Sequence, residues 1–247
     1  MASLYLLPEM RDQDVVAGSI VTLGGDEGRH AIAVARVRVA ERLSISDGSG
    51  LVVSGSVLSI DGNSLQLTVE SVSREPVLSP GLWLAQALAK GDRDELAIQA
   101  ATELGVAGIV PWAAERSVSR WEGAKAEKGR ERWASIVREA TKQSIRSRIP
   151  VVVPIASTNQ LGKLPGRILV LEPDADLKLT DIPLDGAPDD GDRITLVVGP
   201  EGGISDRELA SLTAAGATLV RLGSEVLRTS TAGPAALAVL NARLGRW

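Results

Sequence analysis

Several residue types that commonly carry enzyme chemistry are missing or scarce in this sequence. Its 247 residues include no cysteine, no phenylalanine, one tyrosine and one histidine. The lack of cysteine excludes disulfides, cysteine-ligated zinc and a thiol nucleophile, and it is typical of a reducing cytoplasm. The single histidine, His30, excludes histidine-rich metal sites, so we expect no bound metal. The core must therefore be built from aliphatic side chains and five tryptophans.

Membrane segments and the common nucleotide motifs are absent as well. No apolar run approaches the roughly 20 residues of a membrane-spanning helix, and the first residues lack the basic region of a signal peptide. We therefore expect a soluble, cytoplasmic protein. No G-x-G-x-x-G follows a strand and no P-loop occurs, which argues against a dinucleotide fold or an NTPase. No G-x-S-x-G elbow supports a Ser-His-Asp triad.

The net charge of −4 conceals an uneven distribution of charges along the chain. Residues 115–148 hold ten Lys and Arg against five Glu, whereas residues 172–192 hold eight acidic residues against one Lys. A local basic face can bind a polyanion whatever the total charge is. The acidic stretch contains Pro and Gly, and it predicts a solvated surface loop over residues 174–192.

Two domains are predicted, one covering residues 1–73 and the other residues 77–247. Residues 42–72 alternate apolar and polar side chains around two Asp-Gly turns, which predicts three strands in a small barrel or curled sheet. Residues 73–80 read as a linker because they contain Pro76 and Pro80.

The second domain alternates strand and helix patterns, which is typical of an α/β fold with a mostly parallel sheet. Predicted strands cover residues 82–89, 106–112, 168–173, 195–200 and 218–223. Predicted helices cover residues 92–105, 124–147, 205–215 and about 231–244. In such sheets ligands bind beyond the carboxyl ends of the strands.

The loop "GPEGG" (199–203) follows one of these strands and precedes a capping box, Ser205 to Glu208. Glycines let a ligand approach the backbone closely. The capping box occupies the first amide donors of the helix, and Glu201 repels polyphosphate, so a neutral or cationic ligand fits better. The simpler alternative is a tight strand-to-helix connection without a ligand.

Two further strand ends carry polar or glycine-containing loops. The first is Leu171-Glu172-Pro173, and the second runs from Gly223 through Arg228 to three hydroxyl residues, Thr229, Ser230 and Thr231. Three such loops can converge on one crevice. The simpler alternatives are a salt bridge for Arg228 and helix capping by one of the hydroxyls.

These segments resemble a family of enzymes that methylate N3 of a uridine in 16S ribosomal RNA. The similar segments are "LVVGPEGGISDREL", "LGSEVLRTSTA", "KGDRDELAIQAATELGVAGIVPWAAERSV", "RWASIVREATKQSIRSRIP" and "RHAIAVARVRVAERLSISDGSG". They cover nearly the whole chain in the family's order. The family belongs to the SPOUT superfamily of trefoil-knotted methyltransferases that use S-adenosylmethionine. Ser230 stands where the family usually has Glu.

The resemblance implies a knotted C-terminal α/β domain, a PUA-like N-terminal β-barrel that binds RNA, and a homodimer formed through the knotted domain. S-adenosylmethionine is the implied cofactor, and 16S rRNA or the small ribosomal subunit is the implied partner. A knotted methyltransferase acting on another RNA, or a non-catalytic ribosome-assembly factor of the same fold, remains open. So does the choice between free RNA and assembled subunit.

Site residues follow from the motifs that match. In the implied reaction, Arg228 stabilises the uracil anion formed when N3 loses its proton, and Glu201 is the candidate base. The implied cofactor-binding residues are Leu171, Glu172, Pro173, Gly199, Pro200, Gly202, Gly203, Leu222, Gly223, Val226, Leu227, Thr229, Ser230 and Thr231. The candidate RNA-binding residues are Arg36, Arg38, Arg116, Arg138, Lys142 and Arg146. The last three are spaced to lie on one face of the helix predicted over 124–147, where a solvated basic face is the alternative.

Overall fold

A computed structural model describes residues 4–12, 14–184 and 193–247, which fall into two compact units. The first comprises the described residues of Met1–Val77 and Thr141–Ile149, and the second those of Leu78–Ala140 and Pro150–Trp247. None of the helices in these ranges has both the length and the apolar character needed to cross a membrane. The same ranges contain no group of three or more His, Asp or Glu residues placed to hold a metal ion.

The first unit contains a five-stranded sheet in the order β1-β3-β4-β5-β2. Its strands are β1 Leu4–Leu6, β2 Ile20–Leu23, β3 Arg42–Ser46, β4 Leu51–Asp61 and β5 Ser64–Arg74. β1 is parallel to β3, and the other neighbours are antiparallel. Leu51, Val53 and Val57 alternate with less buried residues, as a sheet with one covered face requires. The three strands predicted over residues 42–72 are confirmed. A short helix, α1 Gly25–Arg29, precedes them.

The second unit contains six parallel strands in the order β11-β9-β10-β6-β7-β8. They are β6 Gly81–Ala87, β7 Gly108–Trp112, β8 Val151–Val152, β9 Arg167–Leu171, β10 Arg193–Val198 and β11 Thr218–Val220. Five consecutive residues of β10 are buried, so both faces of this strand are covered, as is usual in parallel sheets. The prediction of an α/β fold with a mostly parallel sheet is confirmed.

Five helices accompany this sheet along the chain: α2 Arg93–Glu103, α3 Ala124–Gln143, α4 Thr158–Leu161, α5 Asp206–Ala214 and α6 Thr229–Arg243. The prediction of a helix up to residue 147 is wrong, because α3 ends at Gln143. The Arg146 amide donates to the Thr141 carbonyl, and Ile145 adopts a left-handed φ of 56°. This hydrogen bond and the left-handed residue terminate the helix in the manner of a Schellman motif.

The prediction of a solvated acidic loop over residues 174–192 is partly wrong. Ala175, Leu179 and Ile182 are buried, and the Leu179 amide donates to the Arg221 carbonyl beside β11. The aliphatic residues pack while the acidic residues between them face outward, a spacing that the composition of the segment conceals. Residues 185–192 of the predicted loop lie outside the described residues.

Candidate functional site

A cavity of about 790 Å³ opens where β9, β10 and β11 end. The three strands are neighbours and parallel, so the loops that follow them leave the sheet at the same edge. Residues from segments 171–175, 198–204 and 219–229 line the cavity, together with Arg116 and residues from α2, α5 and α6. The three loops singled out in the sequence therefore lie together around one space.

Most of the candidate cofactor-binding residues line this cavity. They are Leu171, Glu172, Pro173, Gly199, Pro200, Gly203, Leu222, Gly223, Val226, Leu227 and Thr229, and both candidate catalytic residues, Glu201 and Arg228, join them. Gly202, Ser230 and Thr231 do not line it. Ser230 and Thr231 lie in the first turn of α6.

The glycines of the loop 199–203 serve two different purposes. Gly203 has a φ of +71°, a conformation that side chains rarely adopt. Gly199 and Gly202 instead accommodate other residues of the protein, since a Cβ would lie 2.7 Å from Ile204 Cγ1 and 3.2 Å from Arg116 Cβ, respectively. Close packing therefore explains two of the glycines without any ligand.

Glu201 is anchored on one side of this loop. Its Oε1 lies 3.0 Å from Arg93 Nη1 and accepts the Lys90 amide at 3.2 Å. Burial would raise the pKa of Glu201, but hydrogen bonds from its own amide and the Lys90 amide, together with Arg93, prevail and lower it. Glu201 is therefore ionised and held in place, which makes it a weak base.

Glu208 and Arg116 hold the other side of the loop. The buried Glu208 carboxylate accepts the Glu115 amide and the Thr158 hydroxyl, both at 2.9 Å. It also accepts the Ser205 amide at 3.2 Å, completing the predicted capping box at the start of α5. Arg116 Nη1 donates to the carbonyls of Gly202 and Ile204. These contacts fix the loop against the segment that follows β7.

Thr229 joins the glycine loop to the start of α6. Its hydroxyl donates to the Gly199 carbonyl at 2.8 Å and accepts from Gln86 Nε2, also at 2.8 Å. The expectation that one of the three hydroxyl residues caps the helix is wrong, because the N-cap position is Arg228. The Thr229 side chain instead connects β6, through Gln86, with the residue that follows β10, Gly199.

The cavity carries charges of both signs in nearly equal number, and its acidic side lies at Glu172. Five carboxylates and four guanidinium groups line it. Burial raises the pKa of Glu172, and the nearby carboxylates of Asp174 and Asp206 add to the rise. A positive group close to Glu172 would relieve this excess of negative charge. Arg228 is exposed and forms no ion pair within the described part of the chain, so its guanidinium is available at the cavity.

The candidate RNA-binding residues lie in contrasting surroundings. Arg36 and Arg38 of the first unit are exposed and form no ion pair among the residues described. Lys142 has a side chain only 10% exposed, and its Nζ lies 3.2 Å from Glu27 Oε1. Burial lowers the pKa of Arg146 to about 10, although Glu75 acts in the opposite direction. Arg146 also lies beyond α3, so the single helical face predicted for Arg138, Lys142 and Arg146 is wrong.

Sequence reasoning missed several residues at the cavity. Arg93, Asp174, Asp206 and Arg221 line it, and Gln86 lies beneath Thr229. The sequence could have indicated Arg93, because this residue directly follows a Lys-Gly-Asp turn beyond the end of β6. The Gln86 contact connects positions 143 apart in the chain, and no local pattern reports it.

Comparisons with known proteins agree on the kind of domain. A family model described as an RNA methyltransferase domain matches residues 78–241, and one described as an RNA methyltransferase PUA domain matches residues 23–70. The sequence is 40% identical to ribosomal RNA small subunit methyltransferase E of Mycobacterium tuberculosis, across 100% of this chain and 94% of that protein.

Solved structures share the whole architecture. A ribosomal RNA small subunit methyltransferase E from Neisseria gonorrhoeae, bound to S-adenosyl methionine, superposes with a TM-score of 0.84 at 30% identity, covering 98% of each chain. A putative methyltransferase from Legionella pneumophila, also in complex with this cofactor, superposes with a TM-score of 0.84 at 29% identity and the same coverage.

Proposed function

The chain belongs to the RNA methyltransferase family, and from this premise we propose that it transfers a methyl group from S-adenosylmethionine to N3 of a uridine in small-subunit (16S) ribosomal RNA. The cavity formed by the three strand-end loops carries this proposal. Relatives with the same architecture are described as bound to the cofactor, over nearly their full length. The substrate implies that the protein works in the cytoplasm.

The cavity suits S-adenosylmethionine in size and charge. Its volume of about 790 Å³ lies within the roughly 300–1,000 Å³ range of small-molecule sites. Glu172 and its acidic neighbours complement the positive sulfur and amino group of the ligand. Backbone groups at Leu171, Gly199, Leu222 and Leu227 would hold the adenine. When bound, the cofactor supplies the electrophilic methyl group.

Arg228 is our choice for the group that assists the uridine. Uracil N3 must lose a proton as it attacks, and a fixed cation stabilises the anion that forms. The guanidinium has no competing carboxylate among the described residues and lies at the cavity. Glu201 is the second catalytic candidate, as the base, but its ion pair with Arg93 fits an anchoring role better.

The two roles of Glu201 predict different results for Glu201→Gln. As the base, Glu201 would be needed for the rate of methyl transfer and not for cofactor affinity. As an anchor, its loss would raise the dissociation constant of S-adenosylmethionine while the rate at saturation changes little. Pre-steady-state kinetics combined with calorimetry separate these results.

RNA binding in this proposal relies on the exposed arginines. Arg36 and Arg38 present free guanidinium groups on the first unit. In the second unit, Arg116 is exposed but bonded to the glycine loop and Arg138 is half-buried, so we expect a smaller contribution from these two. Lys142 and Arg146 contribute less, because both are largely enclosed in the first unit. We also propose the homodimer and the C-terminal trefoil knot that the family resemblance implies, and sedimentation velocity over a range of concentrations tests the dimer.

Mass mapping of 16S rRNA from a deletion strain tests the function directly. We expect one methyl group to be lost from N3 of a single uridine, and to be restored by the wild-type gene. Loss of a methyl group from a different RNA would replace the proposed substrate. If the purified protein bound no S-adenosylmethionine at millimolar concentration, a non-catalytic role in ribosome assembly would replace the enzymatic one.

A further inference from the structure

We propose that Gln86, a residue outside the cavity, sets the distance between the glycine loop and the start of α6 and thereby controls affinity for S-adenosylmethionine. This inference rests on the proposed function. Gln86 acts through Thr229, so it is a positioning residue and has no contact with the reacting atoms.

The hydrogen bonds at Thr229 can run in only one direction. The Thr229 hydroxyl has a single proton, which it donates to the Gly199 carbonyl. It must therefore accept from Gln86, whose Nε2 lies 2.8 Å away. The order is amide to hydroxyl to carbonyl. Gln86 is fully buried on β6, where it pairs in register with Val198, the residue before Gly199.

Other contacts hold α6 firmly, so the Thr229 bond acts on a helix that is already fixed. A Cβ at Gly233 would lie 3.0 Å from Leu84 Cδ1, which shows how closely the helix approaches β6. Farther along, Asn241 Nδ2 donates to the Leu104 carbonyl at 2.8 Å. With α6 held at these points, the bond from Thr229 ties the Gly199 carbonyl, at the first residue of the loop, to the start of α6.

Gln86 makes few other hydrogen bonds that could define its position. Its Nε2 also reaches the Ala87 carbonyl at 3.2 Å, while its Oε1 has no partner in the part of the chain described. Keeping a glutamine fully buried with one oxygen unsatisfied lowers the stability of the fold, which indicates that its amide group is needed for another contact. The contact with Thr229 supplies that need.

Two substitutions of similar size separate the possible roles of Gln86. Gln86→Met removes the donor that directs the Thr229 proton towards Gly199 but adds no competing acceptor, so we expect about a threefold loss of affinity for S-adenosylmethionine. Gln86→Glu replaces the donor with an acceptor, which attracts the Thr229 proton and leaves the Gly199 carbonyl without a partner. We expect about a tenfold or larger rise in the dissociation constant.

Substitutions at Thr229 provide an independent test. Thr229→Ser keeps the hydroxyl and should bind the cofactor within about threefold of wild type, whereas Thr229→Val should lose about tenfold. Thr195→Val is the matched control: it removes a fully buried hydroxyl on β10 that accepts from Arg193 Nε, away from the cavity. It should lower the melting temperature without changing cofactor affinity.

Three measurements test the role of Gln86. They are isothermal titration calorimetry with S-adenosylmethionine, melting curves, and a comparison of the KM for the cofactor with kcat. The inference is supported if Gln86→Met binds the cofactor more weakly than wild type and Gln86→Glu more weakly still, and if KM rises while kcat changes less than about twofold. It is overturned if both variants bind like wild type, or if their affinities follow their melting temperatures. If Gln86→Glu does not fold, Gln86→Met decides the role of Gln86, and the Ser and Val pair at Thr229 tests the bond to Gly199 by itself. A wild-type protein that binds no cofactor would overturn the proposed function itself.

Discussion

The proposed role of Arg228 can be tested directly by kinetics. Arg228→Ala should lower the single-turnover rate at saturating RNA and cofactor by about 100-fold, the typical cost of removing one group that stabilises developing negative charge. Binding of S-adenosylmethionine should change by less than about threefold, since the expected target of the guanidinium is the uracil. Arg228→Lys keeps the charge and should recover part of the rate. A wild-type rate for Arg228→Ala would exclude the role.

We expect ionised Glu172 to lower the stability of the ligand-free protein while it strengthens binding of the cofactor. Its pKa is raised in the folded protein, chiefly by burial. Because the folded-state pKa lies above the unfolded value, ionisation of Glu172 lowers the stability of the ligand-free protein as the pH rises through that range. Glu172→Gln should therefore melt at a higher temperature than wild type at neutral pH, and this gain should vanish below the ordinary carboxyl range.

The same substitution should weaken cofactor binding and change its pH dependence. A cationic ligand favours the ionised form of Glu172, so the affinity of the wild type should fall as the pH is lowered through the raised pKa. The Glu172→Gln protein should bind more weakly at neutral pH and lack this dependence. Calorimetry over a pH series measures both effects, and identical pH profiles for the two proteins would contradict the assignment.

At the scale of elements, the end of α3 holds a strained residue. Ile145 has a left-handed φ of 56° although it is β-branched, and its side chain is 50% exposed. Ile145→Gly should remove a strain of roughly 1–2 kcal/mol but lose the buried half of the side chain, so we expect the free energy of unfolding to rise by less than about 1 kcal/mol. Ile145→Ala keeps a Cβ and should gain less. Denaturant titration measures both, and a loss of stability in the glycine variant would contradict the interpretation.

The elements that sequence reasoning predicts correctly are those with strong local signals. β6, β9 and β10 are short, mostly apolar runs, and α5 begins at a capping box. β8 has two residues and α4 has four, too few for any periodicity to appear. The end of α3 differs from its prediction because no glycine marks it. The cavity loops can be anticipated from glycines at strand ends, whereas the support from Gln86 and Glu208 depends on tertiary contacts.

For the whole molecule, a net charge of −4 limits non-specific attraction to RNA. Specific binding must then come from local cations such as Arg36 and Arg38. Replacing both with Gln should weaken RNA binding and reduce the slope of log affinity against log salt by about two, roughly one for each phosphate that is no longer neutralised. Cofactor affinity should not change. Filter binding over a salt series measures the slope, and an unchanged slope would place the RNA-binding surface elsewhere.

The order of strands in the parallel sheet also has a consequence for synthesis of the protein. β10 lies between β6 and β9, with Arg193 paired to Gly81, so a central strand is among the last to be translated. Until it emerges from the ribosome, β6 lacks one neighbour and presents an unpaired edge, a known liability of incomplete sheets. The first unit cannot be completed until residue 147 has been translated, because the Ser46 hydroxyl donates to the Ser147 carbonyl. We therefore expect β6 to keep an unpaired edge until residues 193–198 have left the ribosome.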